Sequence, residues 1–165
     1  MVAVLDTHAV LWYLLKAKEL SAVALNYIEG ALRVGDLVCV STSSVIEAIY
    51  LVEGGRIPQV ALQRLNAALE DPAAGLIVVP VDGAVANAIH KIPRTAVPDM
   101  PDRIIAATAV HLNLPLVTRD RRLQASGIQT IWWCSPAARA RVEHIKEAVS
   151  DSMQAYSLCL LWVVV

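Results

Sequence analysis

The sequence predicts an α/β fold, a three-layer α/β/α sandwich around a mainly parallel sheet, and two observations carry that expectation. Short runs rich in Val, Leu and Ile recur along the chain, separated by stretches of helical periodicity. Each run is continuously apolar instead of alternating, as strands buried on both faces are, and parallel strands need helical crossovers between them. A length of 165 residues suits one domain of ordinary size.

The elements follow in order. Val2-Ala3-Val4-Leu5 reads as the first strand, and residues 8–15 as a helix that is apolar almost all round. Residues 22–33 form the next helix, and the run at 37–40 the second strand. A helix over 44–53 opens on Ser44-x-x-Glu47, which fits a capping box. Residues 59–70 are helical, 76–79 form a strand, and 83–91 are helical again. A helix over 102–112 starts beside Pro101, a favoured first-turn residue, and feeds a strand at 115–117; a last strand covers 129–132. Residues 1–135 are thus read as one domain, and residues 136–165 as a C-terminal extension without an assigned role. Within that extension 136–150 is charged and helix-compatible, and Leu158 to Val165 is uniformly apolar.

Composition excludes several classes. Hydrophobic residues make up 56% and charged residues 18%, which rules out disorder and leaves apolar surface for an oligomer or partner interface. Fourteen Lys plus Arg against fifteen Asp plus Glu give a net charge of -1, so nucleic acid is expected to be held by a local patch and not by bulk attraction. Cys39, Cys134 and Cys159 show no metal-type spacing and do not make a disulfide framework, which fits a reducing cytosol; Cys39, within a strand, reads as an inert small hydrophobe. The amino terminus lacks signal-peptide features, and the apolar run at the end is far shorter than the roughly 20 residues of a membrane span. A soluble, cytoplasmic protein is expected.

In a parallel sheet, ligands bind at the carboxyl ends of the strands. Asp6 follows the first strand, Ser41-Thr42-Ser43-Ser44 and Glu47 follow the second, Asp120 follows the fourth, and Asp99 and Asp102 open the helix that feeds the fourth. Each acid alone has a plainer explanation as a helix cap or turn residue. Together they converge on one edge, where carboxylates about 5 Å apart repel by roughly 3 kcal/mol per pair. A hard divalent cation, Mg²⁺ or Mn²⁺, relieves that repulsion, accepts oxygen ligands and attracts a phosphodiester. Hydrolysis of a phosphodiester is the chemistry implied.

At these residues a resemblance appears. Val4-Leu5-Asp6-Thr7-His8-Ala9-Val10-Leu11-Trp12 resembles the opening of PIN-domain ribonucleases of the VapC toxin type. Ser44-Val45-Ile46-Glu47-Ala48 with Gly55-Arg56-Ile57 is similar to their second motif, Asp99-Met100-Pro101-Asp102-Arg103-Ile104-Ile105-Ala106-Ala107 to the third, and Leu116-Val117-Thr118-Arg119-Asp120-Arg121-Arg122-Leu123 to the fourth. The resemblance implies that Asp6, Glu47, Asp102 and Asp120 bind the metal and act in catalysis. It makes Asp99 an accessory carboxylate, with Thr118 a hydroxyl near the acids and Thr7 beside the first of them. The third motif departs from the family pattern, with Val97 at a common His position and Met100-Pro101 replacing Pro-Phe, which bears on the loop path and on substrate contact.

Lys91, Arg94, Arg103, Arg119, Arg121 and Arg122 fall near the acidic edge, where they either hold RNA phosphates or form intramolecular pairs such as Asp102 with Arg103. His8 lies near the first acid, and His90, His111 and His144 are scattered; none is assigned to catalysis. Trp12 and Tyr50 are expected to be core or dimer anchors and not base-stacking platforms.

The resemblance further implies a homodimer, an RNA substrate and a small VapB-type antitoxin partner, that is, the toxin of a bacterial toxin-antitoxin pair. The alternatives are a housekeeping PIN-type RNA-processing nuclease and a non-catalytic RNA- or protein-interaction module on the same fold. A haloacid-dehalogenase-type phosphatase is disfavoured, because His8 stands where its second Asp belongs.

Overall fold

In the computed structural model the described residues are Met1–Trp132, which form one compact unit. The expected boundary at 135/136, the helix-compatible segment, the apolar tail, Cys134, Cys159 and His144 lie outside the described residues.

The chain runs β1 (Ala3–Leu5), α1 (Thr7–Leu15), α2 (Ala22–Arg33), β2 (Val38–Ser41), α3 (Thr42–Glu53), α4 (Gln59–Glu70), β3 (Leu76–Val79), α5 (Gly83–Ala88), α6 (Met100–Leu112), β4 (Leu116–Val117), α7 (Arg121–Ala125) and β5 (Thr130–Ile131). All four strand pairings are parallel, in the order β3-β2-β1-β4-β5. The chain builds outward from β1 through β2 to β3, then crosses to β4 on the other side of β1. The carboxyl ends of β1 and β4 therefore flank the point where strand order reverses, which is where an open parallel sheet leaves a crevice.

Both faces of the sheet are buried, and the pleat divides each strand between them. Ala3, Leu5, Val38, Val40 and Val117 join α1, α2, Ala48 of α3 and Leu65 of α4 in one core. Val4, Cys39 and Leu116 face the other way, into a second core with α5, α6 and Leu123 of α7. Two cores on opposite faces of one sheet make three layers, as the uninterrupted apolar runs predict. Cys39 is fully buried, and burial pushes its thiol pKa up, which makes it the unreactive small hydrophobe expected.

Several helix boundaries differ from the expectation, each for a local reason. α1 and α3 begin earlier than predicted because Asp6 and Ser41, in extended conformation, are their N-caps. The cap of α3 is thus Ser41, whose Oγ accepts from the Ser43 N–H, so the capping box predicted at Ser44 and Glu47 is not formed. α6 begins at Met100 because Pro101 sits in the first turn, where its missing N–H costs nothing. The predicted helix over 83–91 divides into α5 and a 3₁₀ turn at Ile89–Lys91. α7 and a 3₁₀ turn at Pro72–Ala74 were not expected, both being too short for helical periodicity to register.

A candidate active site at the carboxyl edge

Helix capping places the first and last acids. Asp6 Oδ1 accepts from the Ala9 N–H at 2.6 Å, and Asp120 Oδ1 accepts from the Arg122 and Leu123 N–H groups at 2.6 and 3.3 Å. The plain reading of both as caps is therefore correct, yet both also line a cleft of about 400 Å³ together with Glu47, Asp99 and Asp102. Asp99 occupies the N-cap position of α6 without making a side-chain cap bond, and Asp102 lies in the first turn, so α6 uses neither carboxylate to satisfy its backbone. α3 and α6 are held to one another by hydroxyls: Thr108 donates to Ser41 Oγ at 3.2 Å, and Ser43 donates to the Pro101 carbonyl at 3.5 Å. This contact brings Glu47 to the same cleft as Asp99 and Asp102, although about fifty residues separate them in sequence.

The two threonines orient the acids. Thr7, buried, donates from Oγ1 to Glu47 Oε2 at 2.6 Å. Thr118, fully buried, accepts the Asp120 N–H at 3.0 Å, and its hydroxyl beside the Asp6 carboxyl favours the charged form of that acid. Burial nevertheless dominates at Asp6 and raises its pKa. The Asp102 carboxyl is pushed up to about 7, by burial first and then by the charges of Asp120, Glu47, Asp99 and Asp6. Four neighbouring acids thus act on a fifth, as their shared cleft requires.

A hard divalent cation fits this donor set. Every candidate ligand is a carboxylate oxygen, the type such ions prefer, and the repulsion that raises Asp102 is what a cation removes. Among the described residues, no three His, Cys, Asp or Glu side chains stand close enough together, as they are placed, to hold a metal ion.

The basic residues separate. Arg119 lines the cleft. Arg103 does not: its guanidinium donates to the carbonyls of Ile92 and Ile89 at 3.0 and 3.4 Å, so it ties the loop before α6 in place and is not paired with Asp102. Lys91, Arg94, Arg121 and Arg122 are exposed and stand outside the cleft lining. Trp12 is only half-buried and lines the cleft, while Tyr50 is 70% exposed, so the expected core role fails for Tyr50 and is partial for Trp12. His8 also lines the cleft. A signal for both existed, since they lie one helical turn apart immediately after Asp6 and so share a face of α1.

Fold and site together define a parallel α/β domain with a five-carboxylate cleft at its strand-order reversal. The chain belongs to the PIN domain family, whose profile matches residues 3–127. It is 34% identical over 121 residues to ribonuclease VapC22 of Mycobacterium tuberculosis, a match covering 73% of this chain and 88% of that protein. The fold is shared with the crystal structure of VapBC2 from Rickettsia felis bound to a promoter DNA fragment, at 17% identity and a TM-score of 0.60 over 79% of this chain and 97% of that one. It is also shared with DNA-bound VapBC from Salmonella typhimurium, at 22% identity and a TM-score of 0.57 over 81% and 99% of the two chains.

Proposed function

We propose that the chain is a Mg²⁺- or Mn²⁺-dependent endoribonuclease, the toxin of a bacterial toxin-antitoxin pair, restrained by a VapB-type antitoxin. The observation that carries this reading is the convergence of Asp6, Glu47, Asp99, Asp102 and Asp120 on one cleft at the carboxyl edge of the sheet. Membership of the PIN domain family and the likeness to ribonuclease VapC22 support the substrate class, and the likeness to VapBC structures supports the partner. Asp6, Glu47, Asp102 and Asp120 are the residues that would hold the ion, with Asp99 as an accessory carboxylate. When bound, such an ion activates water and stabilises the leaving oxygen of a phosphodiester.

The chain's own residues do the rest. Thr7 fixes the rotamer of Glu47, and Thr118 steadies Asp6 and the backbone of Asp120, so the oxygens are pre-oriented. Arg119 supplies positive charge to substrate phosphates at the cleft, and Arg94, Arg121 and Arg122 extend it along flanking nucleotides. Pairing of two copies into a homodimer and a cytoplasmic setting complete the reading.

The test is cleavage of RNA by the purified chain. Excess EDTA abolishes cleavage and Mg²⁺ or Mn²⁺ restores it. Asp6→Asn is inactive yet folded, because Asn caps a helix as well as Asp does. Undiminished cleavage in EDTA refutes metal dependence.

A further inference from the structure

The cleft is divided by chemistry. Besides the five acids it is lined by Thr7, whose hydroxyl is committed to Glu47, and by His8, Trp12 and Arg119. Those three all carry planar groups with π faces, and His8 and Arg119 each lie against Trp12. The Arg119 guanidinium carbon lies over the Trp12 ring, 5.7 Å from its centroid, and the His8 ring is 5.3 Å from Trp12 at an angle of 46°. Behind them, buried Trp132 packs on Trp12 at 5.8 Å, and its carbonyl accepts from Ser21 Oγ at 2.7 Å. Trp12 is thus held by α1 beneath it and Trp132 behind it, while His8 and Arg119 are exposed to solvent.

We propose that His8, Trp12 and Arg119 form a stacking shelf for an unpaired nucleobase of single-stranded RNA, next to the phosphodiester that the acids address; this rests on the ribonuclease reading above. Phosphates need the acidic end and its cation, whereas a base is neutral and is not repelled by carboxylates. A base needs a rigid flat surface, and indole, imidazole and guanidinium planes all supply one. Among the described residues Arg119 is the one Arg or Lys of the cleft lining, so it stacks with a base and faces the adjoining phosphate from the same place. A duplex is excluded, because paired bases have no free face to offer. Since every base has a π face, the shelf selects for single strands more than for sequence.

The Arg119–Trp12 contact also ties the β4–α7 loop to α1, so the test must separate stacking from support. Binding of a short, labelled, unstructured RNA containing every dinucleotide step is measured by fluorescence anisotropy, with Mg²⁺ present. The proteins are the full chain carrying Asp6→Asn, alone and with Trp12→Leu, Trp12→Phe or His8→Ala. The same RNA is then scanned with a single abasic nucleotide. Trp12→Leu and His8→Ala each weaken binding about tenfold, and Trp12→Phe far less, in line with the worth of one stacked base. One abasic position weakens binding to the Asp6→Asn chain about tenfold, yet adds nothing to Trp12→Leu. An abasic penalty of equal size in both proteins makes Trp12 structural and overturns the shelf, as does full affinity of Trp12→Leu. Should Trp12→Leu not fold, exposed His8→Ala carries the same comparison. RNA that is cleaved by the unsubstituted chain without any abasic coupling overturns the shelf alone. RNA neither bound nor cleaved removes the ribonuclease reading and the shelf with it.

Discussion

Asp6 and Asp120 perform two tasks at the scale of a single side chain. Each uses Oδ1 to cap a helix while lining the acidic cleft, so the cap holds the carboxylate in place for the cleft. Asp102 has no such bond and bears the electrostatic strain of the cluster, with its pKa raised to about 7. An Asp raised in the folded state binds a proton that the unfolded chain has already released, so folding stability falls as pH rises from about 4 to about 7. Asp102→Asn weakens that dependence, to which the raised Asp6 adds in the same direction, and stabilises the metal-free protein above pH 7 by ~1 kcal/mol, a figure reduced for solvent screening at this half-buried site. Urea unfolding at several pH values in EDTA checks it, and parallel slopes for both proteins contradict it.

Among elements, α1 and α3 show how far apolar composition predicts an interface. Both read as apolar almost all round, but α1 is covered: α4 and α3 pack on it, and Trp12, Tyr13, Leu14 and Leu15 join the core beside its buried residues. α3 is not covered in the same way, since Ile46, Ile49 and Tyr50 are 50%, 38% and 70% exposed on one stretch of its surface. We expect the homodimer to use this α3 strip, with a buried area above roughly 1,000 Å². Light scattering then returns a dimer for the parent chain and a monomer for Ile46→Lys or Tyr50→Lys; a parent that is monomeric at micromolar concentration refutes the assignment. The segment before α6 offers a second test, of stability. Arg103 joins the Ile89 and Ile92 carbonyls to the first turn that carries Asp102; Arg103→Ala leaves the Ile92 carbonyl without its donor, while that of Ile89 keeps the Ile92 N–H, and costs about 2 kcal/mol by urea titration. A loss below about 0.5 kcal/mol shows that the bonds are replaced by water.

For the whole molecule, the acidic edge makes folding and ion binding a linked equilibrium. A ligand that binds only the folded state stabilises it by about 2.7 kcal/mol at a hundredfold excess over its Kd. Mg²⁺ or Mn²⁺ therefore raises Tm of the parent chain by several degrees, and the rise is lost in the double variant Asp6→Asn/Asp102→Asn. Thermal melts with and without the ion check this, with Ca²⁺-free NaCl of equal ionic strength as control; an equal rise in both proteins shows ordinary screening instead. No helix among the described residues is long and apolar enough to cross a membrane.

What the sequence determined by itself was the layering and the edge on which chemistry sits. Continuous apolar runs such as Val4-Leu5 and Val38-Cys39-Val40 need partners on both faces, and that local requirement already implies a parallel sheet between helices. Asp6, Asp99, Asp102 and Asp120 were legible because each follows a strand or opens a helix, positions fixed by local chain chemistry, whereas Glu47, in the second turn of α3, reaches the cleft through the packing of α3 on α6. No capping box forms at Ser44 because Ser41, three residues earlier and equally suited, is the cap, and two such competitors differ only in how the strand hands over to the helix. Which side chains meet is settled by the tertiary fold alone: Thr7 with Glu47 across forty residues, Arg103 with the Ile89 and Ile92 carbonyls and not with Asp102, and His8 and Arg119 with Trp12. These contacts depend on strand order, above all on β4 lying beside β1, and strand order is set by the packing of both cores together, which no single segment encodes.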